Sequence, residues 1–90
     1  MLKNYRIQVV GIVQGVWFRK YTYDSALSCN VVGMVKNEAD GSVYVEAEGN
    51  ETDLKSFIKK LETGSPLSTV REVKWKEGSL NHYSQFEISQ

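Results

Sequence analysis

Apolar and polar residues alternate near the start of the chain, and this pattern predicts a β-strand. In YRIQVVGIV, Tyr5, Ile7 and Val9 are apolar and the residues between them are polar. A period of two residues is typical of a strand with one buried face. The chain therefore begins, by this pattern, with a strand that covers a core on one side.

Two later stretches, VVGMVKN and SVYVEAEG, predict a second and a third strand. The dipeptide Asp40-Gly41 lies between them and is typical of a tight hairpin turn. The third strand is therefore expected to run antiparallel to the second. Its alternation predicts that Val43, Val45 and Ala47 face the core and that Tyr44, Glu46 and Glu48 face solvent.

Two other stretches have the period of a helix. The first is FRKYTYDSALSC, and Asn30 after it tolerates the left-handed conformation that ends many helices. The second follows Asn50, a good N-cap residue, and is expected to stop at Gly64 and Pro66. The predicted buried faces are Phe18, Thr22, Ala26 and Cys29 in the first helix, and Leu54, Phe57, Ile58 and Leu61 in the second.

The remaining pattern completes a fold prediction. TVREVKWKEG indicates a fourth strand, with a bulge or an irregular start expected because Val70 is out of phase with Val73 and Trp75. SQFEIS is compatible with a short last strand. The order β-α-β-β-α-β predicts an α+β, ferredoxin-like fold, in which two helices cover one face of an antiparallel sheet. With 90 residues, we expect one domain spanning 1–90.

The junction GIVQGVWFRK joins the first strand to the first helix and carries the candidate chemistry. A helix start is already partially positive, so Arg19 is electrostatically unfavourable there unless an anion lies nearby. A glycine-containing loop before a helix can also direct backbone N–H groups at a phosphate-like anion. The spacing does not match a nucleotide P-loop or a dinucleotide fingerprint.

Topology suggests a partner for this junction. In the predicted fold, the loop after the first strand and the end of the second strand lie at the same edge of the sheet. Asn37 ends the second strand and shares its parity with Val31 and Val35, so it should lean toward the helix-covered side. Arg19 and Asn37 are therefore expected to be neighbours in space.

GIVQGVWFR, followed by GMVKNEADGSV after one helix length, closely resembles the motifs of the acylphosphatase family, as do the later GSP and FEI. The resemblance implies that Arg19 binds phosphate and that Asn37 positions the attacking water. It also implies a cradle of backbone amides from Gly15, Val16, Trp17 and Phe18. Met34 stands where this family usually has tryptophan, and Asn30 where a glycine normally ends the helix.

The family hydrolyses acyl phosphates without a metal or cofactor, so the resemblance implies a hydrolase with a small-molecule acyl phosphate substrate. The residues agree with this chemistry. A carboxylate leaving group is a weak base, so no strong general acid is required, and phosphoryl transfer depends mainly on positioning and charge stabilisation. Inorganic phosphate is expected to be both product and inhibitor.

Composition narrows the remaining possibilities. Eleven basic and eleven acidic residues give a net charge of zero, without the basic field of a nucleic-acid-binding protein. No apolar run is long enough to span a membrane, and the N-terminus does not resemble a signal peptide. Cys29 is the only cysteine and is expected to be a buried thiol. We therefore expect a cytoplasmic monomer that binds neither nucleic acid nor membrane, with no metal site.

Two other functions fit the same fold. An RNA-binding module needs aromatic residues on the open sheet face, where we expect one tyrosine, Tyr44, among polar and acidic residues. A non-catalytic anion-binding domain remains possible, although the presence of both Arg19 and Asn37 argues against it. Trp17 fits either the mouth of the site or its rim. The side chains expected to face solvent are Glu46, Glu48, Lys59, Lys60 and His82.

Overall fold

The structure, a computed structural model, describes residues 1–89. They form two helices and four strands in the predicted order, followed by a short fifth strand. The elements are β1 (Leu2–Ile12), α1 (Phe18–Cys29), β2 (Val32–Asn37), β3 (Val43–Asn50), α2 (Glu51–Thr63), β4 (Thr69–Gly78) and β5 (Phe86–Ile88).

The strands form a single sheet in the order β4-β1-β3-β2-β5. Three pairings are antiparallel, as predicted, but β5 pairs parallel to β2, so the sheet is mixed. The prediction of a wholly antiparallel sheet is wrong at this edge. The reason is the position where β4 ends. Gly78 lies beside Asn4, at the end of the sheet where β1 and β2 begin. The chain crosses to β2 at that same end, so β5 runs in the same direction as β2.

The predicted irregularity of β4 is present. Val10 pairs with Glu72 and Gly11 pairs with Val70, so Arg71 is the extra residue of a bulge. At Gly11, φ is +145°, and a Cβ atom would lie 2.1 Å from the backbone oxygen of Thr69. A glycine is therefore needed where β1 approaches the bulge and leads into the loop before α1.

The core lies between the helices and one face of the sheet, and the predicted buried positions occupy it. Tyr5, Ile7 and Val9 on β1 are fully buried. Cys29 is buried as a free thiol. The helix faces are buried as predicted: Phe18, Thr22, Ala26 and Cys29 on α1, joined by Ser25, and Leu54, Phe57, Ile58 and Leu61 on α2.

The opposite sheet face is less open than the sequence suggests. Glu48 was expected in solvent, yet it is only 3% exposed. It accepts a hydrogen bond from Asn4 Nδ2 at 2.8 Å and bonds from the backbone N–H groups of Asn81 and Tyr83. Burial alone would raise the pKa of Glu48, but these hydrogen bonds outweigh it and lower the pKa below the ordinary glutamate value.

The chain between β4 and β5 therefore packs over part of this sheet face. Tyr83 OH also donates to Glu46 at 3.0 Å, and Glu46 is half-buried rather than fully solvated. Lys59, Lys60 and His82 are exposed, as predicted. Within the described part of the chain, no helix is long and apolar enough to cross a membrane.

Candidate active site

The loop between β1 and α1 contains two residues with left-handed backbone, Gly15 and Trp17. Gly15 has φ of +73° and Trp17 has φ of +64°, whereas Val16 between them does not have a positive φ. Such alternation of left-handed and other backbone conformations turns successive N–H groups toward one side. A Cβ at Gly15 would meet nothing within 4 Å, so the conformation, and not crowding, favours glycine there.

The start of α1 has no internal cap. Trp17 occupies the N-cap position without a side-chain hydrogen bond, and the first helical bond runs from Tyr21 N to Trp17 O. The N–H groups of Phe18, Arg19 and Lys20 precede that bond and so have no partner within the helix. The first turn contains no acidic residue. Within residues 1–89, this end of the helix therefore has unpartnered donors, and it carries a positive partial charge.

Arg19 adds a full positive charge to that end. Its Nη1 donates to the backbone oxygen of Ser89, immediately after β5, at 3.1 Å. No carboxylate of residues 1–89 lies within 4.0 Å of the guanidinium. Within this part of the chain the guanidinium is therefore oriented by a neutral carbonyl and is left available to an anion.

Gln14 fastens the loop to the neighbouring hairpin. Its Nε2 donates to the backbone oxygens of Glu38 and Ser42, each at 2.8 Å. Those two residues close the β2–β3 turn through a bond from Glu38 N to Ser42 O. Because Asn37 directly precedes Glu38, Gln14 fixes the loop relative to Asn37.

Asn37 ends β2 at the same edge of the sheet. Its Oδ1 is buried and has no hydrogen-bond partner within the described chain. An unsatisfied buried acceptor is unfavourable, and one at a cavity is a candidate ligand contact.

Arg19 and Asn37 line one cavity of about 480 Å³, which confirms that the fold brings them together. Of the predicted cradle residues, Gly15, Trp17 and Phe18 also line this cavity, but Val16 does not. The Val16 side chain packs against the core, and its carbonyl accepts a hydrogen bond from Ser65 Oγ at 3.4 Å. The complete lining is Val13, Gly15, Trp17, Phe18, Arg19, Lys20, Asn37 and Ile88.

The sequence did not assign roles to several of these positions. Gln14 lies inside the GIVQGVWFR motif, but its acceptors are backbone carbonyls, which no side-chain pattern reveals. Ile88 lines the cavity, and Ser89 accepts the hydrogen bond from Arg19, only because β5 pairs with β2. The FEI motif contributed to the family resemblance but did not indicate that this segment lies beside β2, next to the cavity.

A larger groove of about 700 Å³ lies on the other face of the sheet, where Arg6, Lys74 and Lys76 line it beside Tyr44. The Tyr44 hydroxyl donates to Glu46, so burial and this contact raise the Tyr44 pKa to about 12. This groove has no helix start and none of the predicted site residues. Residues 1–89 contain no group of three or more His, Cys, Asp or Glu side chains that could hold a metal.

Comparison with known proteins identifies the relatives of this chain. The acylphosphatase family model matches residues 5–88. An acylphosphatase of Archaeoglobus fulgidus is 42% identical over 83 residues, covering 92% of this chain and 93% of that protein. One from Bacillus licheniformis is 44% identical, covering 96% and 97%. The crystal structure of acylphosphatase from Bacillus subtilis superposes with a TM-score of 0.95 at 42% identity over the full length of both chains.

Proposed function

Because this chain belongs to the acylphosphatase family, it hydrolyses acyl phosphates, and we propose that Arg19, Asn37 and the loop amides of residues 15–18 perform that reaction. The observation that carries this assignment is the shared cavity. It combines an uncapped helix start, a guanidinium and the side chain of Asn37, whose Oδ1 is buried without a hydrogen-bond partner among residues 1–89.

The phosphoryl group of the substrate binds at the start of α1. The amides after Gly15 and the helix dipole favour its negative charge. The Arg19 guanidinium holds two phosphoryl oxygens with its planar fork. As bonding to the leaving oxygen weakens, these donors stabilise the charge on the phosphoryl oxygens in the transition state.

Asn37 positions the nucleophile. Its free Oδ1 accepts a hydrogen bond from a water molecule and directs the water oxygen toward phosphorus. Water attacks phosphorus and the bond from phosphorus to the bridging oxygen breaks. That oxygen leaves with the carboxylate, and water supplies the fourth oxygen of inorganic phosphate and releases a proton.

Further parts of the proposal concern the setting of the enzyme. Inorganic phosphate, as the product, competes with substrate for the Arg19 site. We propose a cytoplasmic monomer without nucleic-acid or membrane partners, and a reaction that needs no metal or cofactor. The neutral net charge of the sequence supports the absence of a nucleic-acid partner.

A phosphate-release assay with acetyl phosphate and benzoyl phosphate tests the assignment. Asn37→Ala should lower kcat by at least about tenfold, the smallest usual loss for a positioning contact, while the inhibition constant of phosphate stays within about twofold. Asn37→Asp should be no more active than Asn37→Ala, and only its charge should weaken phosphate binding.

Two outcomes would contradict the assignment. If Asn37→Ala lost phosphate affinity as strongly as Arg19→Ala, Asn37 would belong to the anion cradle and not to the water. Loss of wild-type hydrolysis in excess EDTA, restored by Mg²⁺, would overturn the metal-free mechanism. Cys29→Ala is a matched control, because this buried thiol lies outside the cavity.

A further inference from the structure

Trp17 is the most exposed residue of the cavity lining that has a large apolar side chain. It is 77% exposed. None of the close aromatic pairs within the described chain includes its indole. Its left-handed backbone is unfavourable for a non-glycine residue. Neither core packing nor backbone preference therefore explains a tryptophan at the mouth of this site.

Ile88 provides a second exposed apolar surface on the same cavity. It is 41% exposed on β5, which pairs with β2 on the side away from β3. Trp17 and Ile88 approach the cavity from different elements, the loop before α1 and the last strand. The buried side chains of Val13 and Phe18 supply the remaining apolar lining.

The polar groups of the cavity are few. Arg19, Asn37 and the loop amides have roles at the phosphoryl group and the water in the proposed function. The other charged lining residue is Lys20, whose Nζ is paired with Asp24 Oδ1 at 2.7 Å. A substrate that places its phosphoryl group on Arg19 would therefore leave its acyl group beside apolar side chains.

We propose that Trp17 and Ile88 bind the acyl group and make the enzyme selective for acyl phosphates with an aromatic or other bulky apolar acyl group. This inference rests on the proposed function, because the phosphoryl group must occupy the Arg19 site. Stacking and apolar contact with an indole favour a planar aromatic group over a methyl group by about tenfold.

The test compares kcat/KM for benzoyl phosphate and acetyl phosphate. We expect the wild type to favour benzoyl phosphate by about tenfold or more, and Trp17→Ala to reduce this ratio by about tenfold. Trp17→Phe should retain most of the preference. Ile88→Ala should reduce it by a smaller factor, about threefold. A general disturbance of the phosphate loop affects both substrates and cancels in the ratio.

Trp75→Phe is the matched control. Trp75 is the other tryptophan, 45% exposed, but it stacks on Tyr5 with ring centroids 4.3 Å apart and does not line this cavity. Its replacement should leave the ratio unchanged. An equal fall of kcat/KM for both substrates in Trp17→Ala would overturn the inference and assign Trp17 to loop shape alone.

A charged alternative is tested with succinyl phosphate, whose acyl group ends in a carboxylate. If succinyl phosphate were preferred over benzoyl phosphate, and Lys20→Ala removed that preference, the acyl subsite would be anionic and not apolar. That result would overturn the inference while leaving the assignment of Arg19 and Asn37 intact.

Binding measurements separate this inference from the hydrolytic mechanism. Phenacylphosphonate and acetonylphosphonate are non-hydrolysable analogues of the two substrates, and calorimetry can measure their Kd values without turnover. We expect Trp17→Ala to raise the ratio of the Kd of phenacylphosphonate to the Kd of acetonylphosphonate about tenfold. An unchanged ratio would overturn the inference, whereas Arg19→Ala weakens both analogues if the proposed function is right.

Discussion

The two helices of this protein begin in opposite ways. At the start of α2, Asn50 Oδ1 accepts a hydrogen bond from Asp53 N at 2.9 Å, and the first turn carries the acidic residues Glu51 and Asp53. At the start of α1 there is no side-chain cap and no acidic residue, and the first turn carries Arg19 and Lys20. Both helices pack against the same sheet face, so packing alone does not explain the difference.

The comparison shows that the start of α2 is stabilised by its own residues, whereas the start of α1 is able to bind an external anion. A good N-cap contributes about 1 kcal/mol, and an acidic side chain near the N-terminus about 0.3–1 kcal/mol. α2 has both contributions from its own sequence. α1 has neither, and within residues 1–89 its first amides and the Arg19 guanidinium are available to an external anion. The phosphoryl group of the substrate is the anion that we propose.

The largest expected difference between the two helix starts concerns activity. Arg19→Ala should reduce turnover of acyl phosphates by about 10²–10³, the usual loss for one preorganised charge-stabilising donor. Arg19→Lys should recover little, because lysine has no two-pronged donor geometry. Steady-state kinetics and phosphate inhibition on the folded variants measure both effects.

The control for Arg19 is a cation of α2. Lys55 is paired with Glu51 at 3.5 Å in the first turns of that helix, and Lys55→Ala should leave turnover unchanged. Equal phosphate affinity in wild type and Arg19→Ala would mean that the anion binds elsewhere. The larger groove lined by Arg6 would then be the next place to examine.

The second prediction concerns the cap of α2. Asn50→Ala should lower the free energy of unfolding by about 1 kcal/mol and Tm by about 4–8 °C. The acylphosphatase kcat/KM should not change, because Asn50 does not line the cavity. Denaturant unfolding and the kinetic assay together check this separation. A large loss of activity without loss of stability would contradict the division between the two helix starts.

Much of this arrangement could be predicted from the sequence because its signals are local. Asn50 precedes an apolar stripe at helical spacing, so both the cap and the buried face of α2 could be predicted. The spacing of Phe18, Thr22 and Ala26 likewise predicted the buried face of α1. The proximity of Arg19 and Asn37 followed from strand parity and topology, which the structure confirms.

Other features depend on contacts between distant residues. Glu48 has the same alternation as Glu46, but its burial comes from Asn4, Asn81 and Tyr83, which lie 44, 33 and 35 residues away. The parallel pairing of β5 involves three residues on each strand, too few to produce a periodic pattern. These features could not be predicted because no neighbouring residue signals them.

The third prediction concerns the backbone at the two ends of α1. Trp17→Gly should raise the free energy of unfolding by about 0.5–1 kcal/mol, because glycine adopts positive φ without a steric penalty. It should also reduce the preference for benzoyl phosphate. Thermal unfolding and substrate comparison measure these two effects.

Asn30→Gly is the matched control at the C-cap of α1, where φ is +61°. Asparagine tolerates this conformation better than tryptophan, so the gain in stability should be smaller, with no change in substrate preference. If Trp17→Gly instead lowered stability, the indole would contribute packing that its exposure does not suggest.

The smallest expected effect concerns the ion pair in each helix. In α2, Glu51 precedes Lys55, the favourable orientation relative to the dipole, whereas in α1 the order of Lys20 and Asp24 is reversed. Asp24→Asn releases Lys20 at the mouth of the cavity. The inhibition constant of phosphate should therefore fall about twofold at low salt, and the difference should vanish near 1 M salt, where the Debye length is about 3 Å.

The control is the ion pair of α2. Glu51→Gln should leave phosphate inhibition unchanged and lower the free energy of unfolding by about 0.3–0.5 kcal/mol. If Asp24→Asn had no effect at low salt, Lys20 would not contribute to the field at this helix start, and Arg19 alone among the side chains would account for it.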